Sequence, residues 1–178
     1  TCGSNIGELL GPSGMAFDSQ ENLFISDTRN HRIQKFTKDG VYISTFGSQG
    51  SAEGQFHMPW GIAIDANDDL YVADWGNNRI QKLSSQGSML QTFGVSSVGD
   101  DKLNHPSAVA VDKDGDVYVA DWANNRVIIY QPDGTFLATI IGDATNLSEW
   151  AKAKVAANPD LAKARARANL EPEWRLWH

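Results

Sequence analysis

The sequence predicts an all-β fold assembled from three copies of one four-stranded unit, and three observations carry that reading. The first is an internal repeat: Asp27, Asn30 and Arg32 recur as Asp74, Asn77 and Arg79 and again as Asp121, Asn124 and Arg126, with a spacing of 47 residues both times. The second is a matching series of prolines, Pro12, Pro59 and Pro106, each leading into a short apolar run. The third is the density of turn residues, with 16 glycines in 178 residues punctuating segments of strand length.

Each unit reads as four strands in order. The apolar runs Met15-Ala16-Phe17, Ile62-Ala63-Ile64 and Val109-Ala110-Val111 are the first strand, nearly continuous in hydrophobicity as suits burial on both faces. Asp18, Asp65 and Asp112 then open polar hairpin turns. The second strand follows at 23–26, 70–73 and 117–120, rich in aromatic and β-branched residues. The third starts at Ile33, Ile80 or Val127, and a turn at Gly40, Gly87 or Gly134 leads into a fourth ending near Phe46, Phe93 or Ile140. Four strands in about 45 residues is the period of a β-propeller blade. The expected organisation is the end of a preceding repeat at 1–13, then blades at 14–58, 59–105 and 106–142. After Gly142 the pattern breaks: residues 143–171 read as a helical insertion rich in Ala, Lys and Arg, and 172–178 as the start of a further blade. On this reading the chain is a segment of a larger ring.

Bulk composition narrows the function classes. Hydrophobic content of 41% and charged content of 21% are those of a folded globular protein. The net charge is −7, and residues 1–142 hold 9 Lys/Arg against 17 Asp/Glu, so a polyanion would need a local basic patch. Arg29, His31 and Arg32 supply a little positive charge among Asp27, Asp74 and Asp121, which disfavours nucleic acid. No apolar run approaches the ~18 residues that span a bilayer. A single cysteine, Cys2, excludes an internal disulfide framework, and nothing in the sequence assigns a compartment.

The pattern Pro-x-Gly-x-Ala-x-Asp, then Leu-Tyr-Val-Ala-Asp, then Asn-x-Arg-Ile-Gln resembles the NHL repeat over residues 7–142. Two departures stand out: Ala108 where the other copies have glycine, and Ile140-Ile141-Gly142 where they have Phe-Gly. The resemblance implies a propeller of about six blades, of which three would be half. It also implies a broad range of roles, because the family includes RNA-binding propellers, a peptide-amidating lyase and bacterial sensor domains, so the fold alone does not give the activity.

Candidate chemistry divides into what repeats and what does not. A catalytic residue is needed once, whereas Asp27/Asn30/Arg32 and their two copies occur in every unit; they are expected to be a structural network, with Asp and Arg paired and Asn left-handed or bonded through its side chain. The acidic turn Asp112-Lys-Asp114-Gly-Asp116 lacks the length and terminal glutamate of a calcium loop. His31, His57 and His105 fall at three different repeat offsets, so the histidine-bound zinc of the amidating lyases does not carry over to them. No phosphate loop, nucleophile elbow or zinc-protease motif is present, and no catalytic residue, metal or cofactor is assigned.

The tryptophans break the repeat. Trp75 and Trp122 stand where the first copy has Thr28, and Trp60 stands where the others have Ser13 and Ser107. In a propeller these positions open on one face, the face the resemblance links to ligands. With Arg29, His31, His57 and His105, they form the candidate ligand-binding set. The expected function is a non-catalytic recognition scaffold for a peptide, protein or glycan. A metal-dependent lyase or hydrolase with its site in the channel is the alternative, and RNA binding comes third. Apolar sides exposed on the end blades would lead the segment to self-associate.

Overall fold

The computed structural model describes residues 2–95 and 101–141, with the short stretches 152–153 and 156–157. Twelve strands form three antiparallel sheets of four, each in sequence order. The first blade holds β1 (Pro12–Phe17), β2 (Leu23–Asp27), β3 (Arg32–Phe36) and β4 (Tyr42–Phe46). The second holds β5 (Pro59–Ile64), β6 (Leu70–Asp74), β7 (Arg79–Leu83) and β8 (Met89–Phe93), and the third β9 (Pro106–Val111), β10 (Val117–Asp121), β11 (Arg126–Tyr130) and β12 (Phe136–Ile141). The expected helical insertion and the further blade start lie outside the described residues, apart from 152–153 and 156–157, which are helical.

Local chemistry sets each corner. In the β1–β2 turn, Asp18 Oδ1 accepts the backbone N–H groups of Gln20 at 3.0 Å and Asn22 at 2.8 Å, and Asp65 and Asp112 repeat this in their own blades. Those carboxylates thus end the first strand of each blade by satisfying the turn backbone. Between β2 and β3 a single 3-10 turn (Thr28–Asn30, Trp75–Asn77, Trp122–Asn124) closes on a left-handed residue, His31, Asn78 or Asn125. A bulge interrupts β1 between Pro12 and Met15 and β5 between Pro59 and Ile62, re-aiming the start of each strand.

The first strands β1, β5 and β9 lie side by side, and the blades fan outward from them. Two apolar layers hold the blades together. Phe24, Ile33 and the partly buried Ala16 and Phe46 of blade 1 pack with Ile62, Leu70, Val72 and Leu83 of blade 2. Tyr71, Ala73, Ile80 and Phe93 of blade 2 pack with Val109, Val117, Val119, Ile128 and Tyr130 of blade 3. Each fully buried side chain of this size contributes roughly 1.5–3 kcal/mol. The first strands approach so closely that a Cβ on Gly61 would fall 2.6 Å from Ala108 Cα, and one on Gly14 would meet the Trp60 carbonyl oxygen. Glycine is what the contact demands there; Ala108, in the same register on β9, is exposed.

One reading of the first strands needs correcting. They are not buried on both faces throughout: Met15 and Phe17 of β1 are 66% and 60% exposed. Their counterparts in blade 2, Ile62 and Ile64, are covered by blade 1, whereas no described blade covers this side of blade 1.

Candidate functional site

The repeated Asp-Asn-Arg signature sits at the β2–β3 corner, and its hydrogen bonds are directed inward. Asp74 is fully buried. Its Oδ2 accepts from Arg79 Nε at 2.8 Å, Asn77 Nδ2 at 2.9 Å and Gln81 Nε2 at 3.1 Å, and its Oδ1 accepts the His57 N–H at 2.7 Å. Arg79 Nη2 goes on to the carbonyls of Ala52 and Gln55, and Asn77 to that of Gly50. The cluster therefore clamps the loop that leads from blade 1 into blade 2. Asp27, Asn30, Arg32 and Gln34 do the same for residues 3–10, through Gly3, Asn5, Glu8 and Leu10. In blade 3, Asp121 accepts from Arg126 at 2.7 Å, Asn124 at 2.8 Å and the Asn104 N–H at 2.7 Å, but Ile128 replaces the glutamine. The side-chain-bonded form is the one Asn30, Asn77 and Asn124 adopt, while the left-handed conformation falls one residue later.

The left-handed residue has a function that the sequence reading missed. His31 Nδ1 accepts the Met58 N–H at 3.0 Å, and Asn78 Oδ1, one repeat on, accepts the His105 N–H at 2.8 Å. A side chain of one blade thus pins the backbone entering the next blade. The identities differ, so no motif marks the role; only the shared 47-residue register of His31 with Asn78, and of Met58 with His105, reveals it. Burial lowers the His31 pKa, the nearby His57 lowers it further, and Asp74 opposes both. A neutral His31 is also what the bond requires, since Nδ1 must offer its lone pair.

The aromatic candidates occupy the same end of the blades. Trp60 and Trp75 stack with ring centroids 5.6 Å apart and planes 15° from parallel, and Trp75 meets the edge of His105 at 4.2 Å. His31 and His57 lie 5.5 Å apart. His57 also backs onto Gly76, whose N–H donates to the His57 carbonyl at 2.8 Å. Arg29 is exposed, its aliphatic stem passing over Gly11. Trp122 stands apart: it is 62% exposed and has no ring partner among the described residues. The seven candidates therefore form a band and not one pocket: a histidine pair beside Arg29, a Trp60–Trp75–His105 stack bridging blades 2 and 3, and an open Trp122 on blade 3. The Trp75 Nε1–H is buried and has no partner among the described residues, so this indole is packed away from solvent. Among the described residues no three His, Cys, Asp or Glu side chains gather in a metal-holding group, and no helix is long and apolar enough to cross a membrane.

Comparisons with known proteins agree with this architecture. The NHL repeat matches at residues 9–36, 56–83 and 103–130. Over 49 residues the chain is 41% identical to the Drosophila melanogaster protein brain tumor, a match that spans 28% of this chain and 5% of that protein. Among solved structures, the nidogen–laminin complex aligns with a TM-score of 0.59 at 22% identity, over 75% of this chain and 48% of the other. Virginiamycin B lyase from Staphylococcus aureus, solved with quinupristin, aligns at 0.57 and 17% identity, over 73% and 41%. At these identities the structural likeness speaks for the fold alone, and the chain spans less than half of either neighbour. The chain is an NHL-repeat protein, its three repeats forming the three blades of a β-propeller segment.

Proposed function

We propose that this segment is a non-catalytic recognition scaffold that binds a peptide or protein through the loop end of its blades, with Trp122 and Trp60 as the main contacts. One observation supports this most strongly: the repeated Asp, Asn and Arg groups are bonded within the blade corners, while a large indole at a position that varies between repeats is left open to solvent. An exposed tryptophan brings wide apolar area and one N–H donor at a small entropic cost, which is why it recurs as an interface anchor. The rigid Trp60–Trp75–His105 stack would provide a flat neighbouring surface. The acidic net charge favours a ligand with basic or neutral character over a polyanion.

The test is selection of random peptides displayed on phage against the 178-residue chain, followed by affinity measurement on Trp122→Ala and Trp60→Ala. Loss of an interface anchor is expected to weaken selected peptides about 10- to 100-fold. Peptides that bind both variants as tightly as the parent would remove these residues from the site. A glycan ligand would leave the peptide selection empty and require an array of sugars in its place.

A further inference from the structure

Trp60 is carried on a backbone segment that blade 1 grips at three successive residues. His31 Nδ1 accepts the Met58 N–H at 3.0 Å, the Thr28 hydroxyl donates to the Pro59 carbonyl at 2.7 Å, and the Ser13 hydroxyl donates to the Trp60 carbonyl at 3.1 Å. Met58 has a left-handed backbone, with φ of 57°, an uncommon state for a residue with a side chain of its size. The bond to its N–H is part of what holds the entry to β5 in that shape.

Of the three grips, the one from His31 responds to a proton near neutral pH. The imidazole accepts the Met58 N–H through the lone pair on Nδ1, and protonation turns that nitrogen into a donor facing a donor. The seam between blades 2 and 3 lacks this property: Asn78 Oδ1 holds the His105 N–H at 2.8 Å in the same register, and an amide does not titrate.

The charges around His31 come from both blades. Across the seam the His57 ring lies 5.5 Å away on the loop entering blade 2, so a positive charge on His57 works against one on His31. Asp74 of β6 favours the cation, but it is already shared among Arg79, Asn77, Gln81 and the His57 N–H. On blade 1, Arg29 stands on the same turn, and Arg32 follows with its charge paired to Asp27 at 2.7 Å.

We infer that His31 is an acid-operated latch on Trp60: neutral, it fixes the Met58–Pro59–Trp60 backbone and the indole it carries, and protonated it lets that segment go, weakening the hold on a ligand. The latch itself rests on the seam between blades 1 and 2; its effect on a ligand rests on the recognition role proposed above. Binding is therefore strong at neutral pH and weakens as pH falls below the ordinary histidine value of about 6.5.

Nitrogen–proton NMR of the full chain without ligand, from about pH 7.5 to about pH 4.5, follows the His31 ring and the Trp60 indole N–H together. The Trp60 signal is expected to move with the midpoint of the His31 ring. It should stay in place in His31→Asn, which keeps a bond of the Asn78 kind and removes the titration. Affinity for a phage-selected peptide that depends on Trp60 and has no titratable group should fall roughly fivefold over the same range, the weight of one hydrogen bond. In His31→Asn that affinity should not change with pH. A Trp60 signal that does not follow His31, one that titrates alike in parent and variant, or a parent affinity that does not fall with pH would each overturn the latch. Should no selected peptide depend on Trp60, the recognition role falls, while the spectra of the free chain still decide the latch.

Discussion

At the residue scale, the buried aspartates are the groups on which most other groups depend. Asp74 alone accepts from an arginine, an asparagine, a glutamine and a backbone N–H, and the three side chains in turn hold the carbonyls of Gly50, Ala52 and Gln55 and the N–H of Gly54 in the loop from Gly50 to His57. Removing one partner from such a buried pair leaves an uncompensated charge, a change that costs about 3–5 kcal/mol. Asp74→Asn should therefore destabilise the chain by about that amount in urea unfolding. Asp121→Asn should cost clearly less, because Asn124 is exposed, Arg126 is more exposed than Arg79, and Ile128 offers no hydrogen bond where Gln81 does. Equal losses at the two positions would argue against the network as the source. The repeated 47-residue spacing is what makes these aspartates read as architectural, since a catalytic group is needed once and a structural one in every copy. Gln34 and Gln81 were equally visible in the repeated Arg-Ile-Gln, but a neutral amide gives no hint from sequence that it sits beside a buried carboxylate.

At the scale of elements, strands and turns were largely readable because each is bounded by residues with one dominant conformational use: Asp at the hairpin, Gly at the β3–β4 turn, Pro at the first strand. The first strand begins three residues earlier than its apolar run, at Pro12, Pro59 and Pro106, and the third one residue earlier, at Arg32, Arg79 and Arg126, because each arginine pairs across the corner with its aspartate. What sequence could not show is how one blade holds the next. That link depends on a left-handed residue whose side chain differs between copies, histidine in one and asparagine in the other. Chemistry separates the two. His31 has a lowered pKa in the fold, so below the ordinary value of 6.5 the unfolded chain takes up a proton that the folded chain resists. Stability from this group is fully present above pH 6.5 and is lost as pH falls from there toward the depressed folded value. Asp18 and Asp65 do not share that window. Burial raises their pKa, but the hydrogen bonds to each carboxylate and the lysine beside it outweigh burial, so their contribution is present above the ordinary 3.8 and is lost as pH falls from there toward the depressed folded value. His31→Asn, which copies the link already used at Asn78, should retain stability at pH 7 and lose part of the decline between pH 6.5 and 5, read by thermal unfolding across that range. An unchanged pH profile would remove His31 from the link.

At the scale of the whole molecule, the chain is a row of like units whose differences carry its specificity. Every blade has the same corner, but only the second has two stacked tryptophans on it, and only the third leaves its tryptophan open. Sequence comparison between copies singled out Trp60, Trp75 and Trp122 together. It could not tell that Trp75 would be used up between Trp60 and His105, since that depends on the ring of the following blade arriving at 4.2 Å. The band of candidates also reads differently in space: the histidines follow the blade-to-blade seam, and the open indole lies beyond it. The measurement that bears most directly on this division of labour is a two-dimensional nitrogen–proton NMR titration with a phage-selected peptide. It reports the six indole N–H signals and the Arg32, Arg79 and Arg126 Nε–H signals in one spectrum. If the repeated corners build the blades and the variable indoles read the ligand, Trp122 and Trp60 will shift progressively while the three arginine signals stay fixed. Shifts concentrated on those arginines, with Trp122 unmoved, would contradict the account.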